Sequence, residues 1–139
     1  MKVLIDTNVI LNKLLNQIEF FEGSNKIFKL TEIGHITGFV SASAITDIFY
    51  ISKKSLGKTG AIEAIKDMLQ VFQPATVTGD NIFKALDLDW NDFEDAVQYA
   101  VGESLALDYI ITRNISDFAK GKIPAVTPEQ LIDIITDTE

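Results

Sequence analysis

The chain has 139 residues, of which 47% are hydrophobic and 23% charged, a globular balance that suggests one domain over residues 1–139. Cysteine is absent and His35 is the single histidine, which excludes disulfides, thiolate metal sites and histidine-cluster zinc sites. The net charge of −8, without a basic run, argues against a nucleic-acid coat protein that binds through lysine and arginine.

The sequence shows no sign of export or membrane insertion. One lysine and three apolar residues separate Met1 from Asp6, which is too little for the apolar region of a signal peptide. No stretch approaches the roughly 18 uninterrupted apolar residues of a transmembrane helix. We therefore expect a soluble, cytoplasmic protein without membrane association.

The first stretch of the chain predicts a buried strand that ends in a carboxylate. Val3, Leu4 and Ile5 form the continuous apolar run that is typical of a central parallel strand. Asp6 ends this run, and a helix is predicted over residues 9–15. Ligands of open α/β sheets bind at the carboxyl ends of the strands, where Asp6 lies. A role of Asp6 as the N-cap of the following helix would account for it equally well.

Apolar runs and amphipathic segments alternate along the rest of the chain, which predicts an α/β fold with a largely parallel sheet. Strands are predicted at residues 37–41, 75–77, 109–111 and 125–126. Further helices are predicted at residues 26–33, 44–54, 61–72, 81–86, 92–107 and 128–135. Gly23-Ser24-Asn25 predicts a turn, Gly34 a helix end, Ser43 an N-cap and Pro128 a helix start. Residues 56–60 are predicted to form a loop, which contains Gly-Lys-Thr but lacks the earlier glycine of a phosphate-binding loop.

Acidic and amide side chains recur where the predicted strands end or the following helices begin: Asp6, Asp47, Asp95, Asn114 and Asp117. Because the carboxyl ends of parallel strands share one edge of the sheet, we expect these side chains to converge. Carboxylates so close together repel each other unless a divalent cation neutralises them. Oxygen ligands favour Mg²⁺ or Mn²⁺, which can activate water against a phosphodiester.

The helix predicted from residue 92 decides which of its acids face this site. At about 100° per residue, its buried stripe consists of Phe93, Val97, Ala100 and Val101. Asp92 and Asp95 lie about 60° apart on the other side, whereas Glu94 points about 100° away from Asp95. We therefore expect Asp92 and Asp95 to face the site and Glu94 only to favour the helix dipole, as Asp92 also does.

The segments at residues 3–8, 43–47, 92–96 and 111–118, together with the chain end at 123–131, resemble the PIN domain family. This resemblance covers essentially the whole chain and implies a three-layer α/β/α fold with a central parallel sheet of four to five strands. It also implies a Mg²⁺- or Mn²⁺-dependent ribonuclease that cleaves single-stranded RNA. Many members are toxins of VapBC-type toxin–antitoxin pairs, form homodimers and bind an antitoxin over the acidic groove.

By this resemblance, Asp6 would be the first metal ligand and Asp95 the third. Asp47 stands where the family more often has glutamate, and its shorter arm would shift the metal or admit a water. Asn114 stands where a fourth aspartate is common; it would coordinate through its carbonyl, and Asp117 would restore the missing charge. The expected catalytic set is thus Asp6, Asp47, Asp95 and Asp117, with Asn114 as a further metal ligand. The side chains expected to support them are Thr7, Asn8, Ser43, Asp92 and Thr112.

Three alternatives remain open at this point. A degenerate PIN domain would bind a partner or RNA without catalysis. A haloacid-dehalogenase-like phosphatase also begins with a strand that ends in aspartate, but it needs a second aspartate where Asn8 stands and a late lysine, for which Lys120 and Lys122 are poor candidates. A receiver domain would need an acidic pair beside the first strand. His35 follows a predicted helix end, where we expect it to interact with carbonyls rather than to act as catalyst.

Overall fold

A five-stranded parallel sheet lies at the centre of the fold in the computed structural model, which describes residues 1–138. Its strands are β1 (Lys2–Ile5), β2 (Thr37–Ser41), β3 (Gln73–Ala75), β4 (Tyr109–Ile111) and β5 (Ala125–Val126). They follow the order β3-β2-β1-β4-β5, and every neighbouring pair is parallel. β1 is central because Leu4 pairs with Phe39 on one side and with Ile110 on the other.

Helices cover both faces of the sheet, which confirms the three-layer α/β/α architecture. The helices are α1 (Thr7–Leu14), α2 (Ile18–Glu32), α3 (Ala42–Leu69), α4 (Gly79–Leu88), α5 (Phe93–Leu105), α6 (Pro128–Thr138) and a 3-10 helix (Ile115–Phe118). Val3 and Ile5 of β1 pack into one core with α1, α2, α3 and α6, whereas Leu4 packs on the opposite face against α5. Among residues 1–138, no helix is both long and apolar enough to cross a membrane.

The predicted turn at Gly23-Ser24-Asn25 is wrong, because α2 continues through it to Glu32. A Cβ on Gly23 would collide with the carboxylate of Glu129 on α6 and would lie 3.1 Å from the guanidinium of Arg113. This glycine therefore permits the close approach of two helices. Gly34 does end α2 as predicted, with a φ of 84°.

The two helices predicted at residues 44–54 and 61–72 form one longer element, α3, which kinks at Gly57 with φ 74° and ψ 172°. The predicted loop at residues 56–60 is thus reduced to a single non-helical glycine. The predicted N-cap role of Ser43 is also wrong, because α3 begins at Ala42 and Ser41 occupies the cap position. The hydroxyl groups of Ser41 and Ser43 instead share a hydrogen bond of 2.7 Å.

The edge strand β3 lies two residues before its predicted position and includes Pro74. A proline is tolerated there because β3 has a neighbour on one side alone, so its missing N–H leaves no ladder bond broken. α4 also begins earlier than predicted, since Thr78 and Asn81 form a capping box that starts the helix at Gly79.

We predict that Gly57→Ala lowers the free energy of unfolding by about 1–3 kcal/mol, because the φ and ψ of Gly57 fall in a region that is essentially reserved for glycine. Gly79→Ala is the matched control: Gly79 opens α4, has no positive φ, and a Cβ there meets no atom within 4 Å. It should be neutral or stabilising by up to ~1 kcal/mol. Urea unfolding of both variants is the measurement, and equal stability of Gly57→Ala and wild type would contradict the prediction.

Candidate functional site

The carboxylate of Asp6 is buried at the end of β1, where it is 5% exposed and held by three neutral donors. Its Oδ1 accepts hydrogen bonds from the Thr7 backbone N–H at 2.8 Å and from Nε2 of Gln98 at 3.1 Å. Its Oδ2 accepts one from the Thr112 hydroxyl at 2.8 Å. Burial raises the pKa of Asp6, and the three hydrogen bonds oppose that shift without cancelling it. Asp6 is also the N-cap of α1, which confirms the capping role expected for it.

A groove of about 320 Å³ opens beside Asp6 at the carboxyl edge of the sheet. We call it the acidic groove, and its polar lining consists of Asp6, Thr7, Asn8, Asp47, Asp92, Glu94, Asp95, Asn114 and Asp117. Eight of these nine side chains are positions that the sequence placed in or around the site. Thr112 lies behind the groove, fully buried against Asp6. Ser43, which was also expected at the site, does not line the groove, and its hydroxyl shares a hydrogen bond with that of Ser41.

The two acids in the first turn of α5 have strongly raised pKa values. Burial, followed by repulsion from Asp6, Asp92 and Asp117, raises the pKa of Asp95 from 3.8 to about 7. Burial, then the hydrogen bond and charge of Asp47, raise the pKa of Glu94 from 4.5 to about 7. Every charged group among these causes is a carboxylate, so closely spaced negative charges contribute to both shifts.

Glu94 faces the acidic groove, contrary to the helix-periodicity expectation. It interacts with Asp47 and accepts a hydrogen bond of 3.4 Å from the Thr7 hydroxyl. Asp92 is the N-cap of α5, with extended backbone, and its Oδ1 accepts a hydrogen bond of 3.0 Å from the Asp95 N–H. Glu94 and Asp95 lie about 100° apart in the first turn, yet both line the groove, because Glu94 meets Thr7 and Asp47 there. Phe93, which was expected in the buried stripe, is 46% exposed.

Gln98 is a supporting residue that the sequence analysis missed. It is fully buried one turn after Asp95, and its amide N–H reaches Asp6. Its Oε1 is buried without a hydrogen-bond partner in the described part of the chain. A signal was available, because a glutamine that interrupts the apolar run of residues 96–101 is costly to bury unless it meets a polar partner.

Arg113 fixes the loop that carries Asn114 and Asp117. Its guanidinium pairs with Glu129 of α6, donates to the Phe20 carbonyl of α2 at 3.1 Å and to Oδ1 of Asn12 at 3.3 Å. It also lies over the ring of Phe20, 4.7 Å from the centroid. These contacts attach the end of β4 to three helices and keep the positive charge of Arg113 directed away from the acidic groove.

The acidic groove is chemically suited to a hard divalent cation. All of its donors are carboxylate, amide or hydroxyl oxygens, which is the ligand chemistry of Mg²⁺ and Mn²⁺. Among residues 1–138, no three His, Cys, Asp or Glu side chains are positioned to coordinate one ion together. A site of this kind nevertheless remains adequate, because Mg²⁺ is usually held by one or two carboxylates with water completing its shell.

Comparison with known proteins adds a family and a set of similar folds. A family model described as the PIN domain matches residues 2–116. No curated protein matches the sequence significantly. The fold is similar to that of VapBC2 from Rickettsia felis bound to a DNA fragment from its promoter, with a TM-score of 0.72, 13% identity, and coverage of 91% of this chain and 97% of that chain.

Two further structures are similar in the same way. The sarcin-ricin loop cleaving toxin VapC20 from Mycobacterium tuberculosis has a TM-score of 0.70 and 15% identity, over 86% of this chain and 95% of that chain. A toxin–antitoxin complex from Klebsiella pneumoniae has a TM-score of 0.67 and 20% identity, over 91% of this chain and 97% of that chain. At such identities the likeness is one of fold.

We predict that Asp95→Asn raises the melting temperature in EDTA at pH 8, because it removes a partly buried charge that three carboxylates repel. The expected gain is a few degrees, for ~1 kcal/mol after allowance for solvent screening. Since the folded pKa of about 7 lies above the ordinary 3.8, wild-type stability falls as pH rises through this window. The gain should therefore vanish below about pH 4, where Asp95 is protonated in both states.

Manganese and a matched variant complete this test. Excess Mn²⁺ should narrow or reverse the difference, because wild type gains binding free energy that the variant lacks. Asp80→Asn is the control, since Asp80 occupies the first turn of α4 without belonging to the acidic groove. It should lose at most ~1 kcal/mol through the helix dipole, equally with and without metal. If Asp95→Asn behaves like Asp80→Asn in calorimetric melts, Asp95 does not belong to a repulsive cluster.

Proposed function

Because the chain belongs to the PIN domain family, we propose that it is a metal-dependent nuclease that cleaves single-stranded RNA, with residues 1–139 as a single domain. We propose further that it is the toxin of a VapBC-type toxin–antitoxin pair. The observation that carries the proposal is the acidic groove, in which partly desolvated carboxylates face one another at the ligand-binding edge of a parallel sheet.

Mg²⁺ or Mn²⁺ is the proposed cofactor, with Asp6 and Asp95 as its principal ligands and Asp47, Asn114 and Asp117 as further oxygen donors. When bound, such an ion supplies Lewis acidity and a nucleophilic water for phosphodiester hydrolysis. The chain's own residues orient the donors: Gln98 and Thr112 each hold one oxygen of Asp6. Their neutrality leaves the negative charge of Asp6 available to a cation.

The partners are proposed by analogy with the structural relatives. VapC20 is a sarcin-ricin loop cleaving toxin, and the Klebsiella pneumoniae protein forms a toxin–antitoxin complex. For this chain we propose an RNA substrate, a cognate antitoxin and a homodimer in the cytoplasm. Ile51, an exposed apolar side chain at the edge of the acidic groove, suits an antitoxin contact. The exposed Phe83 and Leu86 of α4, at 70% and 58%, suit a protein interface.

The principal competing function is a degenerate PIN domain that binds RNA or a partner without catalysis, because Asp47 and Asn114 depart from the family's usual acids. Family membership sets aside the phosphatase and receiver alternatives. A calorimetric titration with Mn²⁺ separates the remaining two functions, since a nuclease must take up metal specifically. Specific uptake that Asp6→Asn abolishes would support the nuclease, and its absence in wild type would support the binding module.

We predict cleavage of a single-stranded RNA in Mn²⁺ or Mg²⁺, suppressed by EDTA and reduced to background by Asp6→Asn or Asp95→Asn. His35→Ala is the control, because His35 lies just before β2, at the edge of the sheet opposite the acidic groove. It should retain nearly full activity. A gel assay with a labelled oligoribonucleotide measures all four proteins, and loss of activity in a folded His35→Ala protein would indicate different chemistry.

We predict that Gln98→Met weakens Mn²⁺ binding by about 10–100-fold, because removal of a hydrogen bond to a metal ligand typically has an effect of this size. The same change should lower the melting temperature in EDTA by a few degrees, for ~1 kcal/mol, because the buried carboxylate of Asp6 loses one of its three donors, although removal of the unpartnered Oε1 offsets part of this loss. Calorimetric Mn²⁺ titration and thermal melts of the same samples provide both readouts. Reduced stability with unchanged Mn²⁺ affinity would make Gln98 a packing residue.

A further inference from the structure

A second cavity, of about 130 Å³, lies beside the acidic groove. Trp90, Asn91, Ser116 and Lys120 line it, together with three aspartates that it shares with the groove: Asp92, Asp95 and Asp117. We call it the Trp90 cavity. An extended ligand that lies across the three shared aspartates in the acidic groove would therefore also reach the Trp90 cavity.

The walls of the Trp90 cavity are built on one buried side chain, Tyr99. The Trp90 ring packs on it at a centroid distance of 4.9 Å and contacts Phe118 edge-on at 6.1 Å. The Tyr99 hydroxyl accepts a hydrogen bond of 2.6 Å from the Lys122 backbone N–H. A Cβ on Gly121 would collide with the Tyr99 ring, so the loop after Lys120 lies tightly against it. The cavity is therefore preformed.

We propose that the Trp90 cavity binds one unpaired RNA base next to the phosphate that is cleaved, with preference for a pyrimidine that carries an amino group. The inference rests on the proposed ribonuclease function and gives it a base preference. Its size matches a single ring, since an apolar protein cavity of about 150 Å³ admits benzene. Trp90 offers a stacking surface, which every base can use, and Lys120, the cation in the lining, offers a contact for a phosphate.

The polar lining explains the preference for an amino group. Carboxylate oxygens accept hydrogen bonds only, and Asp accepts readily from N4 of cytosine. Uracil presents a carbonyl oxygen at that position, which the same carboxylates repel. Asp92 uses Oδ1 for the N–H of Asp95, which leaves its other oxygen for a ligand. Cytosine should thus bind more tightly than uracil.

Trp90 is the chain's one tryptophan, so its fluorescence reports stacking directly. The experiment titrates the full chain with the pentaribonucleotides UUCUU and UUUUU in EDTA at pH 8 and ~0.15 M salt. Under these conditions Asp95 is ionised, salt screens the repulsion between the carboxylates and the RNA phosphates, and metal-dependent cleavage cannot occur. We expect saturable quenching by both, with a half-saturation concentration about tenfold lower for UUCUU. Equal half-saturation concentrations, or no quenching, would overturn the inference.

A matched pair of lysine variants tests the phosphate contact. Lys120→Gln should weaken both oligonucleotides equally and reduce the slope of log affinity against log salt by about one. Lys122→Gln removes the same charge two residues later, outside the cavity lining, and should change neither quantity. Equal effects of the two substitutions would overturn the assignment of Lys120.

Cleavage in Mn²⁺ separates this inference from the proposed function. If wild type cleaves RNA in Mn²⁺ but neither oligonucleotide changes the fluorescence of Trp90, the base-binding inference fails and the proposed ribonuclease function stands. If UUCUU quenches preferentially but no RNA is cleaved, the Trp90 cavity is a base-binding site and the proposed ribonuclease function fails. Trp90→Phe, which keeps an aromatic ring, should cleave both oligonucleotides at nearly the wild-type rate, whereas Trp90→Leu should slow the cleavage of both, because every base uses the stacking surface.

Discussion

The structure depends on one unfavourable arrangement: a carboxylate that is almost fully buried at the end of the central strand, among other carboxylates. Asp6 keeps its place because neutral groups from three elements donate to it, namely the first turn of α1, the middle of α5 and the end of β4. These donors reduce the cost of burying the charge without neutralising it. The elements that meet at Asp6 are the same ones that bring Asp95 and Asn114 to the acidic groove.

Thr112 and Gln98, whose side chains hold Asp6, each have a neighbour in the chain that fixes the surroundings of the site. Backbone alternation at the end of β4 directs Thr112 towards Asp6 and Arg113 to the opposite side, where Glu129 pairs with it. The single arginine of the chain therefore secures the loop without lowering the negative potential of the groove. On α5, Gln98 supports Asp6 and its neighbour Tyr99 supports the Trp90 cavity, so one helical turn serves both spaces.

The sequence by itself determined the positions of four of the five strands, the parallel α/β class and most of the groove lining. These features follow from local patterns. A continuous apolar run such as residues 3–5 can be satisfied only by burial on both faces, and a polar residue that ends it must emerge at the carboxyl edge. The parallel direction of the strands then brings Asp6 and Asn114 together without further information. Family resemblance added the expected role of each acid.

Only the tertiary structure decided those features in which contacts distant in sequence override a local sequence pattern. Gly23 lies within a helix because α6, more than a hundred residues later, packs against it, and no window around Gly23 contains that information. Glu94 lines the groove through contacts with Thr7, 87 positions earlier, and with Asp47. Gln98 acquires its role from a partner 92 positions away. In each case the deciding contact is distant in sequence, and the local preference that it overrides is small, a few tenths of a kcal/mol to about one.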